Sequence, residues 1–120
     1  MKLKTVQWNI GGGKTRKPSD DPMNVLSYSN EALSDIVIIL KKLNPDIITI
    51  QESHSDAKVV QSKVIGDALG LSHIANDIYD KSHLEDDQWL SQAIISRFPI
   101  ESHSFNFFYN PKLEMIGPKR

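Results

Sequence analysis

The first pattern in the chain has period two. From Leu3 to Ile10, residues Leu3, Thr5 and Gln7 fall on one side and Lys4, Val6, Trp8 and Ile10 on the other, which predicts a β-strand. The pattern stops at Gly11-Gly12-Gly13, where the backbone takes positive φ freely, and a polar loop with Pro18 and Asp20-Asp21-Pro22 follows. The period then becomes helical. Leu33, Ile36, Val37, Leu40 and Leu43 share one face, Ser29 or Asn30 is placed to cap the helix, and Asn44-Pro45 ends it because a residue before proline disfavours the α region.

Ile47, Ile48 and Ile50 form a short β-branched run that reads as a strand buried on both faces, delivering Gln51 and Glu52 at its carboxyl end. Ser55 is placed to cap a second helix, with Val60, Val64, Ala68 and Leu69 on its buried side and Gly70 closing it. Leu71 to Tyr79 predicts a strand and Asp80 to Gln88 a charged loop. Leu90 to Phe98 predicts a stronger strand centred on Ala93-Ile94-Ile95 and broken by Pro99. Ser102 to Tyr109, rich in aromatics, predicts a last strand before a tail that starts at Pro111. The order β-α-β-α-β-β-β predicts an α/β layered domain, and there is no internal repeat.

Bulk properties narrow the function only a little. A chain of 120 residues suits one small domain, and 39% hydrophobic with 24% charged residues is ordinary for a soluble globular protein. The formal net charge of −1 lacks the basic footprint of a dedicated nucleic-acid-binding module. A nuclease stays open, because an enzyme can hold a phosphate with a metal and a few local donors. The absence of cysteine excludes a disulfide framework, a thiolate metal site and a cysteine nucleophile. It fits a reducing cytoplasm, the expected location. The N-terminus lacks the apolar core of a signal peptide, and the longest apolar run, Ile36 to Leu40, is far below the roughly 20 residues a membrane span requires, so no transmembrane segment is expected.

Two residues stand where chemistry is often placed. Glu52 follows a hydrophobic strand, and α/β proteins put ligand sites at the carboxyl ends of strands. Its carboxylate is the hard oxygen donor that magnesium prefers, although on position alone a solvated strand end is the better reading. Asn9 lies just before the glycines, where its amide can bond a metal-bound water, a phosphate oxygen or simply its own turn backbone. Gly11 to Thr15 suggests a nucleotide-binding P-loop, but that motif needs a glycine at the position of Trp8 and a helix at once, and Pro18 and Pro22 intervene. A flexible rim beside an active site is the better reading. His54, His73, His83 and His103 show no helical zinc spacing, and His54 reads as a surface residue. Glu85-Asp86-Asp87 reads as a solvated loop, and there is no nucleophile elbow.

Three segments together resemble the endonuclease/exonuclease/phosphatase superfamily of DNase I-like enzymes. Val6-Gln7-Trp8-Asn9-Ile10 looks like its opening strand, Asn44-Pro45-Asp46-Ile47-Ile48-Thr49-Ile50-Gln51-Glu52 like its PDI-hydrophobic-QE strand, and Ala93-Ile94-Ile95-Ser96-Arg97-Phe98-Pro99-Ile100 like its AIxSRxPI strand. Gln92 departs from the glycine that often precedes the third segment. The resemblance implies that residues 1–120 are the N-terminal portion of one domain, part of a four-layer α/β sandwich. It implies a metal-dependent hydrolase acting on phosphodiesters or phosphomonoesters, with Glu52 as ligand to Mg2+ or Mn2+ and Asn9 positioning the phosphate or metal-bound water. Its substrate would be a nucleic acid, a nucleotide or a phosphorylated small molecule. Ser96 and Arg97 would be architectural.

The superfamily's later aspartate–asparagine pair, catalytic histidine and terminal aspartate–histidine pair cannot be assigned, because only His103 follows Arg97 and no aspartate follows Asp87. The chain alone is therefore expected to be an inactive fragment, with a non-catalytic half-domain or binding module as the alternative. A sheet that lacks its partner sheet exposes its inner face. Poor stability or self-association through that face is expected.

Overall fold

The computed structural model describes residues 1–14, 32–82 and 87–106. Among them, β1 (Thr5–Asn9) leads through a short 3-10 turn (Gly11–Gly13) toward α1 (Ala32–Leu43), β2 (Ile47–Ser55), α2 (Gln61–Leu69), β3 (His73–Lys81) and β4 (Trp89–Ser96). The strands form one sheet in the order β1-β2-β4-β3. β1 and β2 run parallel, joined by the crossover that carries α1, and β4 is antiparallel to both β2 and β3. The α/β class expected from the hydrophobic pattern is the one observed.

Both helices cover the same face of the sheet. Ile48 and Ile50 of β2 stand opposite Ile95 and Ala93 of β4, and these pack with Ile36 and Leu40 of α1, Ile65 of α2, Ile10 and Leu71 into one core. Burying such branched side chains contributes roughly 1.5–3 kcal/mol each, so this layer holds the sheet and helices together. Among the described residues no helix covers the opposite face. Gln7, Thr49, Gln51, Gln92, Asp77 and the half-exposed Ile94 line it, together with the segment from His103 to Asn106. Strand alternation sends Ile48, Ile50 and Ile95 to the helix side and leaves this face largely polar.

Several local expectations shift. The sites Ser29 and Asn30 lie outside the described residues. The end of α1 is as expected: Asn44 takes φ +48 ahead of Pro45, and Lys4 Nζ donates to the Leu43 carbonyl at 2.8 Å. Ser55 does not cap α2. It is the last residue of β2, opposite Trp89, and α2 begins at Gln61 after an extended Val60. The buried face of α2 is Ser62, Ile65 and Gly66, while Val64 is 39% exposed. The later start turns the helix. The Ser62 hydroxyl then reaches Asn76 Oδ1 at 2.8 Å, and Gly66 allows close approach to Ile74 and Leu71. Gly70 closes the helix in the left-handed conformation as expected. Residues 101–106 form no strand, His103 instead meeting both carboxylate oxygens of Asp77 at 2.7 and 2.9 Å. Residues 107–109 of the last expected strand, and Glu85 and Asp86, lie outside the described residues.

Candidate active site

The carboxyl ends of β1 and β2 are held side by side. Asn9 pairs with Gln51, and the Ile10 N–H donates to the Gln51 carbonyl at 3.0 Å. Beyond this point β2 does not end, as the sequence suggested, but kinks. Ile50 faces Ala93 and Ser53 faces Ser91, so Gln51 and Glu52 together oppose the single residue Gln92. This is a β-bulge, a device that bends a strand and re-aims a side chain. Within it Glu52 adopts φ +52, the left-handed region that a non-glycine residue occupies only at a cost of about 1–2 kcal/mol. The strain sits on the carboxylate that the sequence singled out, where strained backbone tends to gather.

Asn9 is fixed by its own turn. The Gly11 N–H donates to Asn9 Oδ1 at 3.0 Å, leaving the Nδ2 group as the part of the amide that can still donate. The turn that follows has positive φ at Gly11, Gly12 and Gly13, and Gly12 and Gly13 are buried. The glycines are thus a packed corner, where the sequence suggested a loose rim. Gly12 has to be glycine, since a Cβ there would lie 2.4–2.8 Å from the ring atoms of His54.

His54 is not the surface residue that the sequence suggested. It is 2% exposed, with Nε2 and the Ser82 hydroxyl 3.1 Å apart and its ring against Gly12. The bulge causes this, because the extra residue turns the chain after Glu52 back into the molecule. Below it Ser53 and Ser91 share a hydrogen bond of 2.7 Å, and Ser91 reaches Asn76 Oδ1 at 3.2 Å.

Tyr79 is a residue that sequence reasoning did not single out. Burial, then the negative charges of Glu52 and of Asp80, raise its phenol above the ordinary value. The shift marks a phenol that feels the charge of Glu52. No local signal marks it; a register shift between Ile78 and Asp80 places it there. No cluster of three histidine, cysteine, aspartate or glutamate side chains occurs among the described residues. The donors gathered here are oxygens, with one carboxylate, a set that suits a hard cation completing its shell with water and phosphate better than it suits zinc.

The comparisons with known proteins bear on the family and the fold. Residues 6–119 match the profile of the Endonuclease/Exonuclease/phosphatase family. The chain belongs to this family. Its members are in general phosphoesterases and nucleases that depend on divalent metals. A solved endonuclease/exonuclease/phosphatase structure from Beutenbergia cavernae DSM 12333 has a similar fold, with a TM-score of 0.63 and 18% sequence identity over 84% of this chain. The match spans only 27% of that protein's chain. No curated protein matches significantly. The fold is thus DNase I-like. Asn9 and Glu52 lie near the carboxyl ends of adjacent parallel strands, Asn9 pairing with Gln51, the residue before Glu52. No helix among the described residues is long and apolar enough to cross a membrane.

Proposed function

We propose that residues 1–120 form the N-terminal portion of a divalent-metal-dependent phosphoesterase domain acting in the cytoplasm, with Glu52 as a metal ligand. The observation that supports the reading is the bulge of β2 at Glu52, whose strained backbone follows Gln51, the strand partner of Asn9, in a chain of this family. Mg2+ fits the oxygen donor, and Mn2+ can replace it. Such an ion, when bound, polarises a phosphoryl oxygen and neutralises charge as it develops.

The chain's own residues do the rest of what is available here. Glu52 supplies one anionic oxygen to the cation. Asn9 offers its Nδ2 hydrogens to a phosphate oxygen or a metal-bound water, its Oδ1 being engaged by Gly11. Tyr79, whose phenol feels the charge of Glu52, is a further neutral donor that can serve the site. General base and further charge stabilisation have to come from residues outside this set. The substrate is a phosphoester, drawn from nucleic acids, nucleotides or phosphorylated small molecules.

The test is Glu52→Gln in the intact protein, assayed with phosphodiester and phosphomonoester substrates over a magnesium titration. Activity is expected to fall by at least the roughly 10- to 100-fold that loss of a supporting partner costs a metal site. Full activity with unchanged metal dependence would remove Glu52 from the site. Absence of any hydrolysis in the unsubstituted protein would favour the alternative, a non-catalytic half-domain or binding module that keeps the fold.

A further inference from the structure

Gln61 is the first residue of α2, yet its side chain does not serve the helix. Its Oε1 accepts the backbone N–H of His54 at 2.8 Å, and its Nε2 donates to the backbone carbonyl of Gly12 at 2.8 Å. One planar amide thus spans two separate backbones, the segment of β2 just past the bulge and the glycine turn that follows β1. The two partners lie 7 and 49 residues away in sequence. Only glutamine provides an acceptor and a donor on one group at this length. Asparagine is a methylene shorter, and glutamate has no donor when ionised.

Each bond has a consequence for the site. Gly12 is the peptide neighbour of Gly11, whose N–H holds Asn9 Oδ1 at 3.0 Å. The Gly12 carbonyl lies two peptide planes beyond the Gly11 N–H, so fixing it steadies the tight glycine turn from which Asn9 is held. His54 lies two residues after Glu52, so holding its N–H fixes the exit of the bulge that carries the carboxylate. The His54 ring then fills the space a Gly12 Cβ would need, closing the same corner from the other side.

We infer that Gln61 is a positioning residue, clamping Gly12 and His54 so that the Asn9 amide and the Glu52 carboxylate keep one relative placement. The inference rests on the reading of Asn9 and Glu52 as the site. A donor set held this way needs no rearrangement as charge develops on a phosphate, whereas a shift of about 1 Å in such a group costs as much as 100-fold in rate.

The experiment compares Gln61→Met, which removes both bonds, with Gln61→Glu, which keeps the acceptor for His54 and removes the donor to Gly12, in the intact protein. Amide NMR reads the Asn9 side-chain pair and the Gly11 and His54 backbone signals, and kinetics read kcat and KM. In both variants the Asn9 and Gly11 signals are expected to move. The His54 signal moves in Gln61→Met and keeps its place in Gln61→Glu. In both, kcat falls about tenfold or more while KM changes less than about twofold. If Gln61→Met fails to fold, Gln61→Glu carries the same readouts. Asn9 and Gly11 signals that coincide with those of the unsubstituted protein overturn the inference. So does unchanged kcat in both variants while Glu52→Gln is inactive, an outcome that leaves the site reading intact. If Glu52→Gln is fully active, the site reading fails and the NMR signals alone decide whether Gln61 positions Asn9.

Discussion

Arg97 donates through Nε to Asp46 Oδ1 at 3.0 Å, and its backbone N–H donates to the Asp46 carbonyl at 2.9 Å. The Lys4 backbone N–H takes the other carboxylate oxygen at 2.9 Å. Asp46 therefore ties together the approach to β1, the start of β2 and the exit of β4, at the end of the sheet away from Glu52. Two of the sequence segments that identify the family meet in this one ion pair, and the architectural part expected of Arg97 is the one it takes.

The pairing makes stability depend on acid. The Lys4 N–H first, and the Arg97 guanidinium second, hold the Asp46 carboxyl below its ordinary value. The unfolded chain thus binds a proton at a higher pH than the folded one. The stabilisation is fully present above the ordinary carboxyl value of about 4 and is lost as pH falls through the lower folded value. Asp56, held down by the N–H groups of Lys58 and Val59 and by Gln88, acts with the same sign. Thermal melts at pH 7 and pH 3 are expected to show a smaller acid loss in Asp46→Asn than in the unsubstituted protein, and a smaller one still in the Asp46→Asn, Asp56→Asn double variant. An unchanged acid loss in the double variant would show that other carboxylates dominate.

Glu52 sets stability against function. At φ +52 a glycine carries no Cβ strain, so Glu52→Gly is expected to hold or raise stability, by up to about 1 kcal/mol, although it removes a side chain. Glu52→Gln keeps the strain and loses the charge. Urea unfolding should therefore rank Glu52→Gly at or above Glu52→Gln, while both lose metal-dependent hydrolysis in the intact protein. A Glu52→Gly variant less stable than Glu52→Gln would mean that the side chain stabilises the bulge.

The difference between these two ends of the sheet explains what could be read from sequence. Ile47, Ile48 and Ile50, the Asn44-Pro45 stop and the Gly70 closure are local signals, and each element they mark is present. Glu52 and Asn9 were singled out because the segments that carry them resemble those of the family, not by their own position. What escaped was set by tertiary register. The bulge at Glu52 puts positive φ on a residue type that does not advertise it, and that one inserted residue keeps Ser55 in the strand and buries His54. Gln61 reaches the backbones of His54 and Gly12 only through helix placement, which no periodicity in its own segment encodes.

The glycine turn separates two kinds of glycine requirement. Gly11 has φ +53 and open space around its missing Cβ, so Gly11→Ala meets backbone strain alone, about 1 kcal/mol. Gly12 has φ +68 and the His54 ring within 2.8 Å of that position, so Gly12→Ala meets the same strain and also displaces a buried side chain. Denaturant unfolding should place Gly12→Ala clearly below Gly11→Ala. A Gly12→Ala, His54→Ala double variant should recover part of the difference, because the obstructing ring is gone. Equal losses for the two single variants would mean that the ring moves aside freely.

The open sheet face gives the last expectation. Ile94 lies near the middle of that face and is 45% exposed, flanked by Thr49 on β2 and by Ala75 on β3. In a DNase I-like domain this is the side on which a second sheet packs. The 120-residue chain by itself is therefore expected to self-associate weakly, since the surrounding Gln7, Gln51, Gln92 and Asp77 limit the apolar area available. Sedimentation velocity over a concentration series should show rising mean mass, and Ile94→Lys should return the chain toward monomer without loss of helix content. A chain that stays monomeric at its solubility limit would show that the polar rim already protects the face, and the same substitution would then change nothing.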